Sequence, residues 1–471
     1  MSLLNRFKQG WLSRSLGILL ALLQSFPLTT FALSPYSTQE LEELEKEFIQ
    51  LINQSNEIER NPLASQYINH LGKSIARYAH IPTPYFFIVK SGEINAFAGP
   101  GGYIGINTQL ILVSENESEL AGVMAHELAH VRLHHLYSMI EHQKQMRIPM
   151  LASLLASIAL GVINPTLGSG AMMASLTGFA QDSINFTRAH EKEADRIGIA
   201  MLIKAGFDPR GMSSFFKKMQ QNSRYYYTAN IPAILRTHPL DDDRIAEAEN
   251  RSERIAKKQY PANLNYQLFK ELIRVNTASN NKQLLDFYQH QCHRRYADAA
   301  CQYGHVLALM NINQFQQAEN HLEPLLNQDH YNLFYQIAMA QIETGKKQFA
   351  EALKRLSNLQ ITYPENYAAL MAYAQGLLAA GQAQQAAAVL LKGSRIFKQD
   401  LTLCEQLAQA QAESHQKSYA YFTQAKCQLL QGRQKEAIRQ LKLAKTLAKN
   451  DNYLQARITA MIDEIKFLSD E

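Results

Sequence analysis

The chain is poor in three things, and each shortage removes a class of explanation. It has four cysteines in 471 residues, none spaced as CxxC, which excludes a thiol redox motif and a cysteine-held metal site. Charge is thin as well: 19% of residues are Asp, Glu, Lys or Arg, and the formal balance is +5. Lys and Arg are scattered along helical stretches without a basic stripe or an RNA-binding signature, so no nucleic-acid partner is expected. The uncharged stretch from Ile148 to Gln181 is split by Gly161, Asn164, Pro165, Gly168 and Gly170. Its pieces fall short of the ~20 residues that a membrane span needs. An apolar flap or hairpin is expected there, able to gate a cleft and to make peripheral membrane contact.

What is present is a folded chain, 46% hydrophobic and longer than a single core usually holds. Its most informative run is His126-Glu127-Leu128-Ala129-His130. Helical spacing sets residues four apart on one face, so both imidazoles can reach one metal ion, and Glu127 stands beside them as a candidate general base. Ala121, Val123, Met124, Ala125, Leu128, Ala129 and Val131 make the surrounding helix a dry platform. A hydrolytic zinc site takes three protein ligands. Downstream, Glu191 and Asp195 again lie four apart, so one can bind metal while the other orients an imidazole.

The N-terminus reads as a secretory signal over residues 1–32. Arg6, Lys8 and Arg14 precede an apolar run from Leu16 to Leu28, and Thr30-Phe31-Ala32 is a small-x-small cleavage site. The expected destination is oxidising, which suits the cysteines. Three connectivities are open to four cysteines; the local one, Cys292 with Cys301 and Cys404 with Cys427, is the expectation.

Helices with an apolar stripe (Leu41, Leu44, Phe48, Leu51, Ile52) are expected over 37–80. Tyr85–Val89 and Gly102–Ile106 are short strand candidates. A small sheet before the metal helix would let an extended substrate add to its edge, or would simply cover the core. Beyond Tyr260 come helix pairs joined at Gln314–Ala318, Gly345–Ala350, Gly381–Ala386 and Gly432–Ala437, with intervals between those alanines of 32, 36 and 51 residues. The first two approach the 34-residue tetratricopeptide period, and the last leaves room for an extra helix. Such pairs stack into a concave surface that binds other proteins, or serve as a stabilising cap.

Together, HELAH, the run Arg188-x-x-Glu191-x-x-Ala194-Asp195, the segment Ile94–Ile104, and Thr237-His238-Pro239-Leu240 with Arg244 resemble the zinc metallopeptidase family of HtpX and the CAAX-processing proteases. The signal and repeat tail make the chain similar to its periplasmic branch. The resemblance covers 36–471, strongly to 255 and in architecture beyond. It implies a mainly α fold with a small β-sheet: a zincin-type metalloprotease domain over 36–258, followed by an α-solenoid of tetratricopeptide-like repeats over 262–471. It implies one zinc ion per chain held by His126, His130 and Glu191, with Glu127 as general base and Asp195 as the carboxylate behind the ligands. His238 matches a position that can approach the metal as a fourth ligand; hydrogen bonding to an oxyanion and capping the next helix are the other readings of that histidine. Where the family often has Arg before the residue that is His135, this chain has His134.

The function implied is a periplasmic endopeptidase, with a chaperone role, acting on misfolded or stalled envelope proteins in outer-membrane β-barrel assembly. The alternative is a chiefly non-proteolytic scaffold with a self-inhibited zinc site. Unfolded or misassembled envelope proteins are the implied partners, with the assembly machinery engaged through the repeats.

Overall fold

A computed structural model describes residues 38–139, 181–225, 232–253, 255, 259–294 and 298–467. The expected signal segment, and residues 148–180 of the uncharged stretch, lie outside them. Among the described residues, no helix is long and apolar enough to cross a membrane.

The described residues from 42 onward form one compact unit. Helix α1 (Thr38–Gln54) buries Leu44, Phe48 and Ile52, the predicted stripe at helical spacing. Helix α2 (Pro62–Ala76) starts where Asn61 accepts bonds from the Leu63 and Ala64 amides and Pro62 fixes the first turn. Four strands, β1 (Ile58–Glu59), β2 (Phe86–Val89), β3 (Ala96–Ala98) and β4 (Ile104–Asn107), form a sheet in the order β1-β2-β4-β3. The two strand candidates pair in parallel, Phe86 opposite Ile104. Strand β3 runs antiparallel to β4 and ends the sheet, so one row of its backbone groups has no strand partner among the described residues.

After the short α3 (Thr108–Val113) comes α4 (Glu117–Arg132), which carries HELAH. It is apolar nearly all round, from Leu120 through Ala129, and is therefore enclosed on all sides. Helix α5 (Gln181–Ala205) crosses it where Gly198 faces the Ala125 backbone; a Cβ there would lie 3.2 Å from the Ala125 carbonyl. Helix α6 (Arg210–Tyr225) approaches as closely at Gly122, where a Cβ would meet the Met212 backbone at 2.9 Å. Glycine at these two crossings lets backbones come closer than side chains would permit. The short α7 (Ala233–Thr237) and α8 (Asp242–Glu253) complete this part.

The remainder is helical. Helices α9 (Leu264–Asn276) and α10 (Asn281–Arg294) lead into pairs α11 (Ala299–Asn311) with α12 (Phe315–Gln328), α13 (Leu333–Gly345) with α14 (Phe349–Thr362), α15 (Tyr367–Ala379) with α16 (Ala383–Ile396), and α17 (Leu401–Glu413) with α18 (Lys417–Leu430). Within each pair the turn has one left-handed residue: Asn313, Lys347, Gly381 and His415, each 34 after the last. The 34-residue tetratricopeptide period is thus regular. The intervals of 32 and 36 arise from Ala350, which is exposed; the equivalent buried alanines are Ala318, Ala352, Ala386 and Ala420. Gly432, left-handed at φ 70°, then inserts the extra helix α19 (Gln434–Leu447) before α20 (Asn452–Phe467).

One hydrophobic core runs from Leu63 to Ala369, through both the metal helix and the first repeats. Tyr67 of α2 stacks on Phe269 of α9 at 4.4 Å, and the Tyr266 hydroxyl donates to the Ser114 carbonyl at 3.0 Å. Farther along, the Asn53 side-chain amide donates to the Leu430 carbonyl at 3.0 Å. Both cysteine pairs are bonded locally, Cys292–Cys301 and Cys404–Cys427.

Candidate metal centre

Helix α4 sets His126 and His130 one turn apart, with Nε2 atoms 3.0 Å from each other. Helix α5 brings Glu191 against both, its oxygens 3.3 Å from His126 Nε2 and 3.4 Å from His130 Nε2. His238, just past the end of α7, turns Nδ1 inward, 3.0 Å from Glu191 Oε1 and 3.3 Å from His126 Nε2. These four side chains could hold one metal ion, their donor atoms all lying within 4.8 Å of one another. His134 does not join them. Helix α4 ends at Arg132, and His134 is an exposed turn residue with φ 54°.

Behind the donors lies a buried ionic chain. Asp195, one turn beyond Glu191, places Oδ1 2.9 Å from His126 Nδ1. Arg244 clamps that carboxylate through Nε at 2.8 Å and Nη2 at 2.9 Å. Its Nη1 reaches Glu191 at 2.9 Å and the Pro239 carbonyl at 2.7 Å. The guanidinium also sits over Phe216, 5.1 Å from the ring centre. Arg244, part of the motif that follows His238, thus turns its donors to the two carboxylates. Helix α8 is capped by Asp241, which accepts from the Arg244 amide, so the capping reading of His238 fails.

Glu127 is buried, and its Oε1 has no hydrogen-bond partner; the nearest cation is His238 Nε2 at 3.5 Å. His135, to which no motif assigns a role, is buried with Nδ1 2.9 Å from His130 Nδ1. Its ring stacks on His190 at 4.0 Å.

The charges reinforce one another. Burial disfavours the charged form of Glu191, but His238, His130 and His126 outweigh it and hold the carboxyl well below the usual range. Asp195 is likewise buried, and His126 and Arg244 lower it. Burial works against a charged His126, yet the bonds to Asp195 and Glu191 push its imidazole up to about 10. Burial, joined by His130 and His190, pushes His135 down to about 3. Both carboxylates are therefore anionic at neutral pH, as metal binding requires.

Two imidazoles from one helix, a carboxylate from a crossing helix, and a buried glutamate beside them define a metallopeptidase centre. Residues 62–252 match peptidase family M48, and the chain belongs to that family. It is 34% identical over 429 residues to the beta-barrel assembly-enhancing protease of Escherichia coli, covering 90% of this chain and 87% of that protein. The Yersinia pestis protein of the same name is 32% identical, over 87% of this chain and 85% of its own length. A protease HtpX homolog of Methylibium petroleiphilum is 28% identical over 206 residues, which cover 37% of this chain and 71% of that one.

Proposed function

We propose that this metallopeptidase is a periplasmic zinc endopeptidase that cleaves misfolded or stalled envelope proteins in outer-membrane β-barrel assembly. The observation that carries the zinc assignment is the spacing of the donors. A tetrahedral ion with bonds of about 2.0–2.1 Å sets its ligand atoms roughly 3.3–3.4 Å apart. The Nε2 atoms of His126 and His130, the two carboxylate oxygens of Glu191 and Nδ1 of His238 lie 3.0–3.4 Å apart in five pairs, His126 facing Oε2 and the other two facing Oε1. Imidazole and carboxylate are donors zinc accepts readily. The biological setting rests on the names of the relatives, on the signal-like N-terminus and on the two disulfides.

In this reading His126, His130 and Glu191 would hold the ion. Zinc, when bound there, would supply Lewis acidity and lower the pKa of a water. Glu127 takes the proton of the attacking water at its buried, unbonded Oε1 and passes it to the departing amine. Asp195, clamped by Arg244, stands 2.9 Å from His126 Nδ1 and fixes that ring through charge. An extended substrate adds to the free edge of β3, a mode that reads backbone rather than sequence. The repeats recruit clients or the assembly machinery, and the stretch 148–181 touches the membrane peripherally.

His238 supports a second component, a chaperone whose proteolysis is held in check. Its Nδ1 fills a donor position that a substrate water would need, and it stands on a loop rather than in a long helix. Pro239 disfavours helix at this residue, so His238 can withdraw while His126 and His130 cannot.

The test is metal analysis together with proteolysis of an unfolded β-barrel client. Wild type should carry one zinc, and His126→Ala and Glu191→Gln should lose it; full zinc occupancy in either overturns the ligand set. His238→Ala should keep zinc and raise basal or self-cleavage. A clean loss of activity with normal folding would instead make His238 an oxyanion donor.

A further inference from the structure

An imidazole that gives one nitrogen to a metal must offer the N–H of the other to an acceptor, and that acceptor sets its ring plane and tautomer. The two helix-borne histidines have different acceptors. His126 directs Nδ1 to the Asp195 carboxylate at 2.9 Å. His130 Nδ1 lies 2.9 Å from the Nδ1 of His135.

We propose that His135 is a positioning residue for His130: its Nδ1 lone pair accepts the His130 Nδ1–H and so holds Nε2 toward the metal. The proposal rests on His130 being a metal ligand, and it adds an outer partner that helical spacing cannot reach. His135 lies beyond the end of α4, where the left-handed residue His134, with φ 54°, breaks the helix. Protons balance in one arrangement. His130 carries its hydrogen on Nδ1, so His135 must be neutral with its own on Nε2. That nitrogen points toward Glu193, whose Oε2 is 3.8 Å away. The flat face of His135 is pinned by His190, with rings 4.0 Å apart and 7° from parallel. Because His190 immediately precedes Glu191, the stack also ties the segment that follows α4 to the ligand-bearing α5.

One ligand is thus backed by a carboxylate and its neighbour by an uncharged ring. A carboxylate makes the imidazole it accepts from a stronger donor than a neutral acceptor does, so His130 is the more weakly held ligand.

The test compares zinc affinity by chelator competition in the full chain for wild type, His135→Phe and His135→Asn, alongside unfolding of the metal-free proteins. Phe keeps an aromatic face on His190 but offers no acceptor, and affinity should fall about 10- to 100-fold. Asn restores a carbonyl acceptor and should bind more tightly than Phe. Wild-type-like affinity in His135→Phe, with wild-type zinc measurable, overturns the proposal and leaves the metal site intact. Equal losses in Phe and Asn overturn it too, since they point to packing alone. If wild type itself binds no zinc, the metal-site reading fails first.

Discussion

Arg244 is the residue whose loss the structure prices most sharply. Its side chain is 1% exposed and faces the two buried carboxylates Asp195 and Glu191, with Nε and Nη2 gripping the first and Nη1 the second. Arg244→Met keeps much of the aliphatic volume but strands that negative charge away from water. Breaking a buried pair by removing one partner costs about 3–5 kcal/mol, whereas an exposed pair is worth roughly 0–1 kcal/mol. The folded-to-unfolded ratio should therefore drop by a factor of roughly 10² to several times 10³. Urea unfolding of the metal-free protein measures this directly. Arg244→Met combined with Asp195→Asn should recover part of the loss, because one uncompensated carboxylate is gone. A single-mutant loss below about 1 kcal/mol, or a double mutant no better than the single, would refute the clamp.

Glu127→Gln should retain zinc while hydrolysis falls about 10²- to 10⁴-fold, the usual size of a general base; unchanged cleavage would remove it from the mechanism. In metal-free protein, the His126 imidazole, raised from 6.5 to about 10, contributes stability fully below pH 6.5 and loses it as pH climbs through 10. Tm of the chelated protein should therefore fall between about pH 6.5 and 10, and a flat profile contradicts the assigned contacts. Phe269→Ala, which removes the partner stacked on Tyr67, should cost about 3–5 kcal/mol. Because the core is shared, that loss should appear equally in the unfolding of repeats and metal part, and separate transitions would argue against one core.

The parts legible in the sequence were those with a local period. HELAH and the Glu191–Asp195 pair are readable because helix geometry makes residues four apart neighbours. Predicted strands at 85–89 and 102–106 fall within a residue or two of β2 and β4, though nothing local could reveal that they pair directly in parallel while β3, between them in sequence, takes the edge. Repeat spacing was blurred because three of the four pair turns use Asn313, Lys347 or His415 in the left-handed region rather than glycine, so glycine was a poor guide. His135 was hidden for a different reason: its contact to His130 forms after the helix breaks. The directions of Arg244 depend on how three separate segments meet.

The donors of the metal centre come from three stretches of chain, with His126 and His238 separated by 112 residues, and the core beneath them is closed by helices later still. Even the three proposed ligands His126, His130 and Glu191 lie on two separate helices. A protease chain that is still unfolded is a potential substrate for any copy that has already folded. Dispersing the ligands delays the emergence of cleaving power until tertiary structure is in place, so maturation itself acts as a timer against cannibalism.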